Sequence, residues 1–364
     1  MSDPFGPFRD PERLRGLTER LHRLTSERPL TFMHVCGTHE NAIGRFGIRS
    51  LLPPWLRVIA GPGCPVCVCP PAEIDAAVRL ATDHSVILAT FGDMLRVPGR
   101  ISLAQARARG ADVRVVRGVH DAVRLAVDHP ERQVVMLAVG FETTACTTAA
   151  AVLAGPPGNF SMILAHRLIP PAMHALLGLP ALRLDGFLLP GHATAVTGTV
   201  DYETFATVSG LPASVAGFEP VDILWGLERL ATLAVHGEVE VANAYARAVR
   251  PAGNLRAQQA TDKAFEPMDA AWRGLGVIPA SGLALRAPYH KLDALARFGL
   301  TLDPDLPECL PGCQCGSVMV GLTEPEVCPL FDKSCTPTSP RGPCMVSQEG
   351  TCHSRYVYRE RRDA

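Results

Sequence analysis

Twelve cysteines are distributed very unevenly along this 364-residue chain. Cys36, Cys64, Cys67 and Cys69 form an N-terminal group, Cys146 stands alone, and the other seven fall between Cys309 and Cys352. In a reducing compartment such clusters point to metal binding or thiol chemistry rather than to a disulfide scaffold. Cys313, Cys328, Cys335 and Cys352 follow the pattern C-x14-C-x6-C-x16-C. Four soft thiolates complete either a zinc site or an iron–sulfur cluster. Zinc ribbons usually draw their ligands as two close C-x2-4-C pairs, whereas these four are spread out, so a [4Fe–4S] cluster is expected. Of the remaining three, Cys315 and Cys344 lie close in sequence to proposed ligands and could cycle as a dithiol/disulfide pair beside the cluster. The competing reading makes them small buried apolar residues. Cys309 is left over.

The N-terminal group carries a second chemistry. Cys36-Gly37-Thr38-His39-Glu40 and Gly61-Pro62-Gly63-Cys64-Pro65-Val66-Cys67 each follow an expected strand directly. Ligands of open parallel sheets bind outside the carboxyl ends of strands, so both loops are expected to face one crevice. Cys64-x-x-Cys67 has redox spacing, and the helix expected from Pro71 could lower a nearby thiol pKa. Two readings stay open on spacing alone. Cys36, His39, Cys64 and Cys67 could form a Cys3His zinc site. Alternatively, Cys36 and His39 hold a metal in an open site while Cys64 and Cys67 cycle between dithiol and disulfide.

Other polar residues stand at strand ends. Thr143 and Thr144 could cap the helix after the strand at Val139. Glu142 has no such structural duty, which makes it a candidate for a cleft role. Asp93, Arg96, His192 and Glu219 read as structural, and Cys146, in an Ala/Thr-rich helix, as packing.

These residues must be positioned by alternating strands and helices. Leu14, Leu17, Leu21 and Leu24 repeat at helical spacing in the first segment. Strands are expected at Leu30–Val35, Leu56–Ala60, Val86–Thr90, Val113–Val116, Val134–Val139, Ser161–Ala165, Gly186–Leu189 and Ser214–Gly217. Helices fit between them, as at Ala72–Ala81, Leu103–Arg109 and His120–Val127. Such alternation predicts an α/β fold with parallel sheets covered on both faces. Strand ends at Cys36, Gly61 and Phe91 against Gly140, Ala165 and Pro190 give similar spacings, which suggests two related α/β units. The expected division is a helix over 1–29, α/β domains over 30–118 and 119–220, a helical connecting region over 221–300, and a cluster domain over 301–364. Helices are expected there at Ile223–Val235, Val241–Ala248 and Lys263–Ala271. The Cys-, Pro- and Gly-rich final segment cannot build an ordinary core and needs a metal staple.

Composition excludes several classes. A formal charge of −1 gives no field for nucleic acid or acidic lipid. Only Arg359, Arg361 and Arg362 resemble a basic patch, and they read as a solvated tail. The N-terminal segment lacks the basic-then-apolar order of a signal peptide, and no apolar run is long enough for a bilayer. A soluble, cytoplasmic protein with no membrane or nucleic-acid partner is the expectation.

The motifs together resemble the hydrogenase maturation factor HypD family. The likeness rests on Cys36-Gly-Thr-His39-Glu40, Gly61-Pro-Gly-Cys64-Pro-Val-Cys67 and Gly140-Phe-Glu142-Thr-Thr144. Pro190-Gly-His192, Gly217-Phe-Glu219-Pro and the terminal Gly342-Pro-Cys344-Met-Val-Ser-Gln-Glu-Gly-Thr-Cys352 extend it. The resemblance implies two Rossmann-like domains plus a [4Fe–4S] domain similar to that of ferredoxin:thioredoxin reductases. It implies a scaffold that, with the small partner HypC, assembles the Fe(CN)2CO unit of [NiFe]-hydrogenases, with cyanide from the thiocyanate-bearing partner HypE. Cys36 would then ligate the cargo iron with His39 close by, Cys64 and Cys67 would be the redox pair, and Cys315/Cys344 would pair near the cluster. Cys69 departs from the pattern by adding a third thiol to its loop. An iron–sulfur thiol–disulfide oxidoreductase is the alternative reading.

Overall fold

The computed structural model describes residues 5–359. Two parallel sheets form the body, as the alternation of strands and helices predicts. One runs in the order β2-β1-β7-β8-β9, built from β1 (Leu30–His34), β2 (Leu56–Ala60), β7 (Gly186–Pro190), β8 (Ala213–Ala216) and β9 (Val241–Asn243). The other runs β4-β3-β5-β6, from β3 (Ile87–Thr90), β4 (Val113–Val115), β5 (Val134–Gly140) and β6 (Phe160–His166). All seven residues of β5 are buried, the mark of a central strand covered on both faces. The arrangement is Rossmann-like, with helices crossing between parallel neighbours.

The sheets do not follow the chain as two successive blocks. β1 and β2 pair with β7, β8 and β9. The chain leaves the first sheet through the helix Pro71–Asp83, lays down all of the second, and returns at β7. The expected cut at residue 118 therefore runs through the second sheet. Apolar periodicity marks each strand but says nothing about which partner it will pair with. The apparent repeat fails for the same reason, because each of its blocks contributes strands to both sheets.

The region 221–300 departs further from expectation. Helix Pro220–His236 is present, but Val241 opens the edge strand β9. Helix Leu255–Ala264 gives way to an antiparallel hairpin of β10 (Phe265–Trp272) and β11 (Gly276–Leu285). Alanine-rich spacing around 263–271 imitates a helix, yet tertiary packing wins. Trp272 is fully buried, stacks on Phe141 at 5.9 Å and donates to Ser281 Oγ at 2.8 Å.

The final segment contains only short pieces, Cys315–Met319, Pro343–Val346 and Thr351–Tyr358. Its buried apolar groups include Cys315, Cys344 and Cys352 themselves, alongside Val318 and Met345. This is the composition of a small cluster domain. It docks on the first sheet, with Ser354 Oγ donating to the Glu40 carbonyl at 3.0 Å. At the opposite terminus, helix Pro11–Arg23 is capped by Asp10 and buries Leu17 and Leu21 against the body. Of the expected basic tail, Arg359 ion-pairs with Asp332, while Arg361 and Arg362 lie outside the described residues. No helix among the described residues is long and apolar enough to cross a membrane.

Candidate functional site

The first sheet reverses direction of strand order between β1 and β7, and a crevice opens at the carboxyl ends of such neighbours. Cys36 leaves β1 there as the N-cap of helix Gly37–Arg45, in extended conformation. The Gly37 N–H donates to the Gly63 carbonyl at 2.8 Å, and the Gly61 N–H to that of His34 at 2.8 Å. The two cysteine loops are thus laced side by side.

Cys64 and Cys67 are joined as a disulfide. Cys64 caps the short helix Pro65–Val68, accepting from the Cys67 N–H. Joined in this way, neither sulfur is free in this structure to serve as a ligand of a Cys3His site. Cys69 remains a free thiol but is buried. Burial and the nearby Glu73 carboxylate push it up to about 12, so it stays protonated and inert beside the disulfide.

Nearby N–H groups of Thr38 and His39 favour the Cys36 thiolate. Burial and the charge of Glu349 oppose them and push the thiol up to about 12. A soft metal cation replaces such a proton, whereas a free thiolate would not form near neutrality. His39 is fully buried, and its Nε2–H donates to the Gly217 carbonyl at 2.9 Å. That bond fixes the tautomer and leaves the Nδ1 lone pair bare, without a partner among the described residues. Burial and the adjacent His34 ring lower its pKa to about 3, so the ring is neutral. A neutral imidazole, oriented through its other nitrogen, is the form in which histidine ligates metals.

Glu40 does structural work. Its Oε2 accepts from His34 Nε2 at 2.8 Å and from Arg49 at 2.6 Å. Burial opposes its charge, but Arg49 and His34 outweigh that and hold the carboxyl far below the usual range. Glu349 is the residue that sequence reasoning missed. It belongs to the terminal motif, yet only the folded chain lays it over Gly37, with Thr38 Oγ1 donating to its Oε1 at 2.8 Å.

The cluster domain meets the disulfide directly. The Cys67 Sγ lies 3.9 Å from the Pro343 carbonyl, and Cys64, Cys67, Cys344 and Glu349 line one cavity of about 10 Å³. Such a space holds a single water at most. Behind it the thiols converge. Cys344 touches both Cys315 and Cys352, and Cys309 touches Cys313 and Cys315. Cys335 lies within electrostatic reach of Cys328 and Cys344. Among the described residues, no group of three or more His, Cys, Asp or Glu side chains is arranged around a single ion. The donor set is nevertheless all thiol, which suits an iron–sulfur cluster rather than a hard cation. The Cys315–Cys344 contact makes a checkable prediction: mild oxidation of the metal-free protein is expected to crosslink these two, read as one disulfide-linked peptide by mass spectrometry.

The remaining strand-end residues and Cys146 make contacts of their own. Arg96 donates to the carbonyls of Pro337 and Val346, tying the β3 loop to the cluster domain. Glu219 pairs with Arg9, and His192 stacks on Phe218 at 4.0 Å. Cys146 donates to its own helix at Thr143. Glu142 opens helix Glu142–Leu153 on the second sheet.

Comparison with known proteins decides the lineage. Residues 12–359 match the HypD family, described as the hydrogenase formation hypA family. The chain belongs to the HypD family. It is 44% identical to the hydrogenase maturation factor HypD2 of Bradyrhizobium diazoefficiens over 98% of this chain and 97% of that one. HypD of Azotobacter vinelandii is 42% identical over 98% and 97%, and HypD of Escherichia coli 43% over 97% and 97%. The crevice motifs that carried the resemblance lie within the matched HypD span, as does the whole cysteine array.

Proposed function

We propose that this chain is a hydrogenase maturation factor that, with HypC, forms the scaffold on which the Fe(CN)2CO group of [NiFe]-hydrogenases is assembled, with cyanide received from HypE. The observation that supports this most is the lacing of the Cys36 loop to the Cys64–Cys67 disulfide at one strand-end crevice. Cys36 supplies a soft thiolate to the cargo iron, and His39 offers a fixed neutral nitrogen beside it. The two crevice thiols balance the cyanide step. A partner thiocyanate plus the Cys64/Cys67 dithiol gives a partner thiol, hydrogen cyanide and the Cys64–Cys67 disulfide. Two electrons pass from the dithiol to the sulfur–carbon bond that breaks, and cyanide goes to the iron.

Cys313, Cys328, Cys335 and Cys352 would hold the [4Fe–4S] cluster, which supplies one-electron redox chemistry when bound. Cys344 shares the small cavity with Cys64 and Cys67 and touches Cys315 behind it, so a Cys315/Cys344 dithiol could exchange with the first. Glu349, packed over Gly37 and bonded to Thr38, places its carboxylate within electrostatic reach of the Cys36 thiol.

The test is anaerobic purification with HypC followed by infrared spectroscopy. Bands of metal-bound cyanide and carbonyl are expected. Their absence, together with turnover on a disulfide-bearing protein, would replace the scaffold with an oxidoreductase.

A further inference from the structure

Glu142 lies away from the cysteine crevice, at the start of its helix on the second sheet, and its surroundings are unusual. It is only 7% exposed. One oxygen, Oε1, accepts the Ile169 N–H at 2.7 Å. The other, Oε2, is buried without a hydrogen-bond partner among the described residues. An unpaired buried carboxyl oxygen costs about 1–3 kcal/mol unless something else satisfies it. Two cavities, of about 510 and 650 Å³, both include Glu142, Leu168, Thr197 and Asp201 in their walls. Neither shares a residue with the cavity between Cys64, Cys67 and Cys344.

The lining tells what would fit. Asp201 and Asp262 stand in the walls, and among the described residues no ion pair neutralises either carboxylate. No lysine or arginine lines either cavity, and His174 is the one basic side chain, in the second. Between the carboxyls the walls are apolar, from Val196, Val200, Leu255 and Phe265. Anions are repelled from such a cleft, and a cation on an apolar stem satisfies both kinds of surface.

We propose that this cleft is a second binding site, separate from the cysteine crevice, that takes a guanidinium or primary ammonium group carried on an apolar stem. The charged head sits on Glu142 and Asp201, and the stem lies along Val200 and Leu255. Burial raises the Glu142 carboxyl to about 7, with the Ile169 N–H pulling the other way. The titratable groups facing it are Asp201 from helix Val200–Ser209, Asp262 from helix Leu255–Ala264, His174 from helix Ile169–Leu177, and Tyr202 behind. A cation prefers the ionised carboxyl, so binding releases a proton and tightens as pH rises through the Glu142 pKa.

Calorimetric titration of the full chain with agmatine, at about pH 6 and about pH 8, tests this. Saturable binding that is tighter at the higher pH is expected. Glu142→Gln keeps the acceptor for Ile169, so it folds, and it should weaken binding by about tenfold and flatten the pH dependence. Asp201→Asn should weaken binding while keeping the pH slope. A short arginine-containing peptide that binds more tightly than agmatine assigns the cation to a partner polypeptide; equal binding assigns it to a free amine. Absence of saturable binding by both probes, or binding that Glu142→Gln leaves unchanged, overturns the proposal. Neither readout involves hydrogenase maturation, so it fails or succeeds independently of the scaffold reading.

Discussion

Cys36→Ala is expected to abolish retention of the proposed iron cargo while the visible absorption of the proposed C-terminal iron–sulfur cluster persists. The expectation follows from where the thiol sits. It is the N-cap of its helix, the N–H groups of Thr38 and His39 lie close enough to favour its thiolate, and it follows the strand beside the disulfide loop. No other free thiol occupies that position among the described residues, because Cys69 is buried against Pro70 and the remaining cysteines belong to other elements. Cys36→Ser separates ligation from folding. A serine hydroxyl caps the helix at least as well as a thiol, so stability should hold or rise. Hard oxygen is a poor ligand for low-spin iron, so cargo should still be lost. Infrared bands and iron content of the protein purified with its partner measure both variants. Cargo retained at the level of the unsubstituted chain by Cys36→Ala would remove Cys36 from the site. Cys313→Ala is the mirror control, with visible absorption lost.

How much of this was readable beforehand depends on the range of the interaction concerned. The strand ends at Cys36, Gly61 and Gly140 were legible because a buried strand and the loop after it are written within a few residues. The same holds for Cys64 and Cys67, whose spacing already restricts them to one turn, and the structure joins them. Sheet membership was not legible. β2 and β3 are consecutive and alike in apolar character, yet the helices Pro65–Val68 and Pro71–Asp83 carry the chain from one sheet to the other between them. Nothing local distinguishes a crossover that returns to its own sheet from one that starts another. Glu349 was invisible for a related reason. Its contact with Thr38 spans 311 residues, and only docking of the cluster domain creates it. The hairpin at 265–285 shows the opposite failure, in which a local pattern was read and then overruled. Ala270 and Trp272 fit a helical stripe as well as a strand face, and burial of Trp272 against Phe141 chose the strand.

Gly63→Ala should be the most damaging single-methyl substitution in the crevice. A Cβ at Gly63 would run into the backbone of Val35 and Cys36, not into a side chain that could swing aside. The glycine is required by this close approach rather than by an unusual dihedral, so the cost is steric overlap between two loops. One loop must retreat, and the hydrogen bond from Gly37 to Gly63 goes with it. Overpacking of this kind costs about 1–3 kcal/mol, and backbone against backbone belongs at the upper end of that range. A lowered urea midpoint with an unchanged slope is therefore expected, together with loss of cargo, because Cys36 and Cys64 are pushed apart. Gly158→Ala is the matched control, since a Cβ there meets nothing within 4 Å. If the two variants unfold at the same urea concentration, the loops do not touch as described. The chemistry proposed for Cys36 and the Cys64–Cys67 pair would then lose the proximity on which it depends.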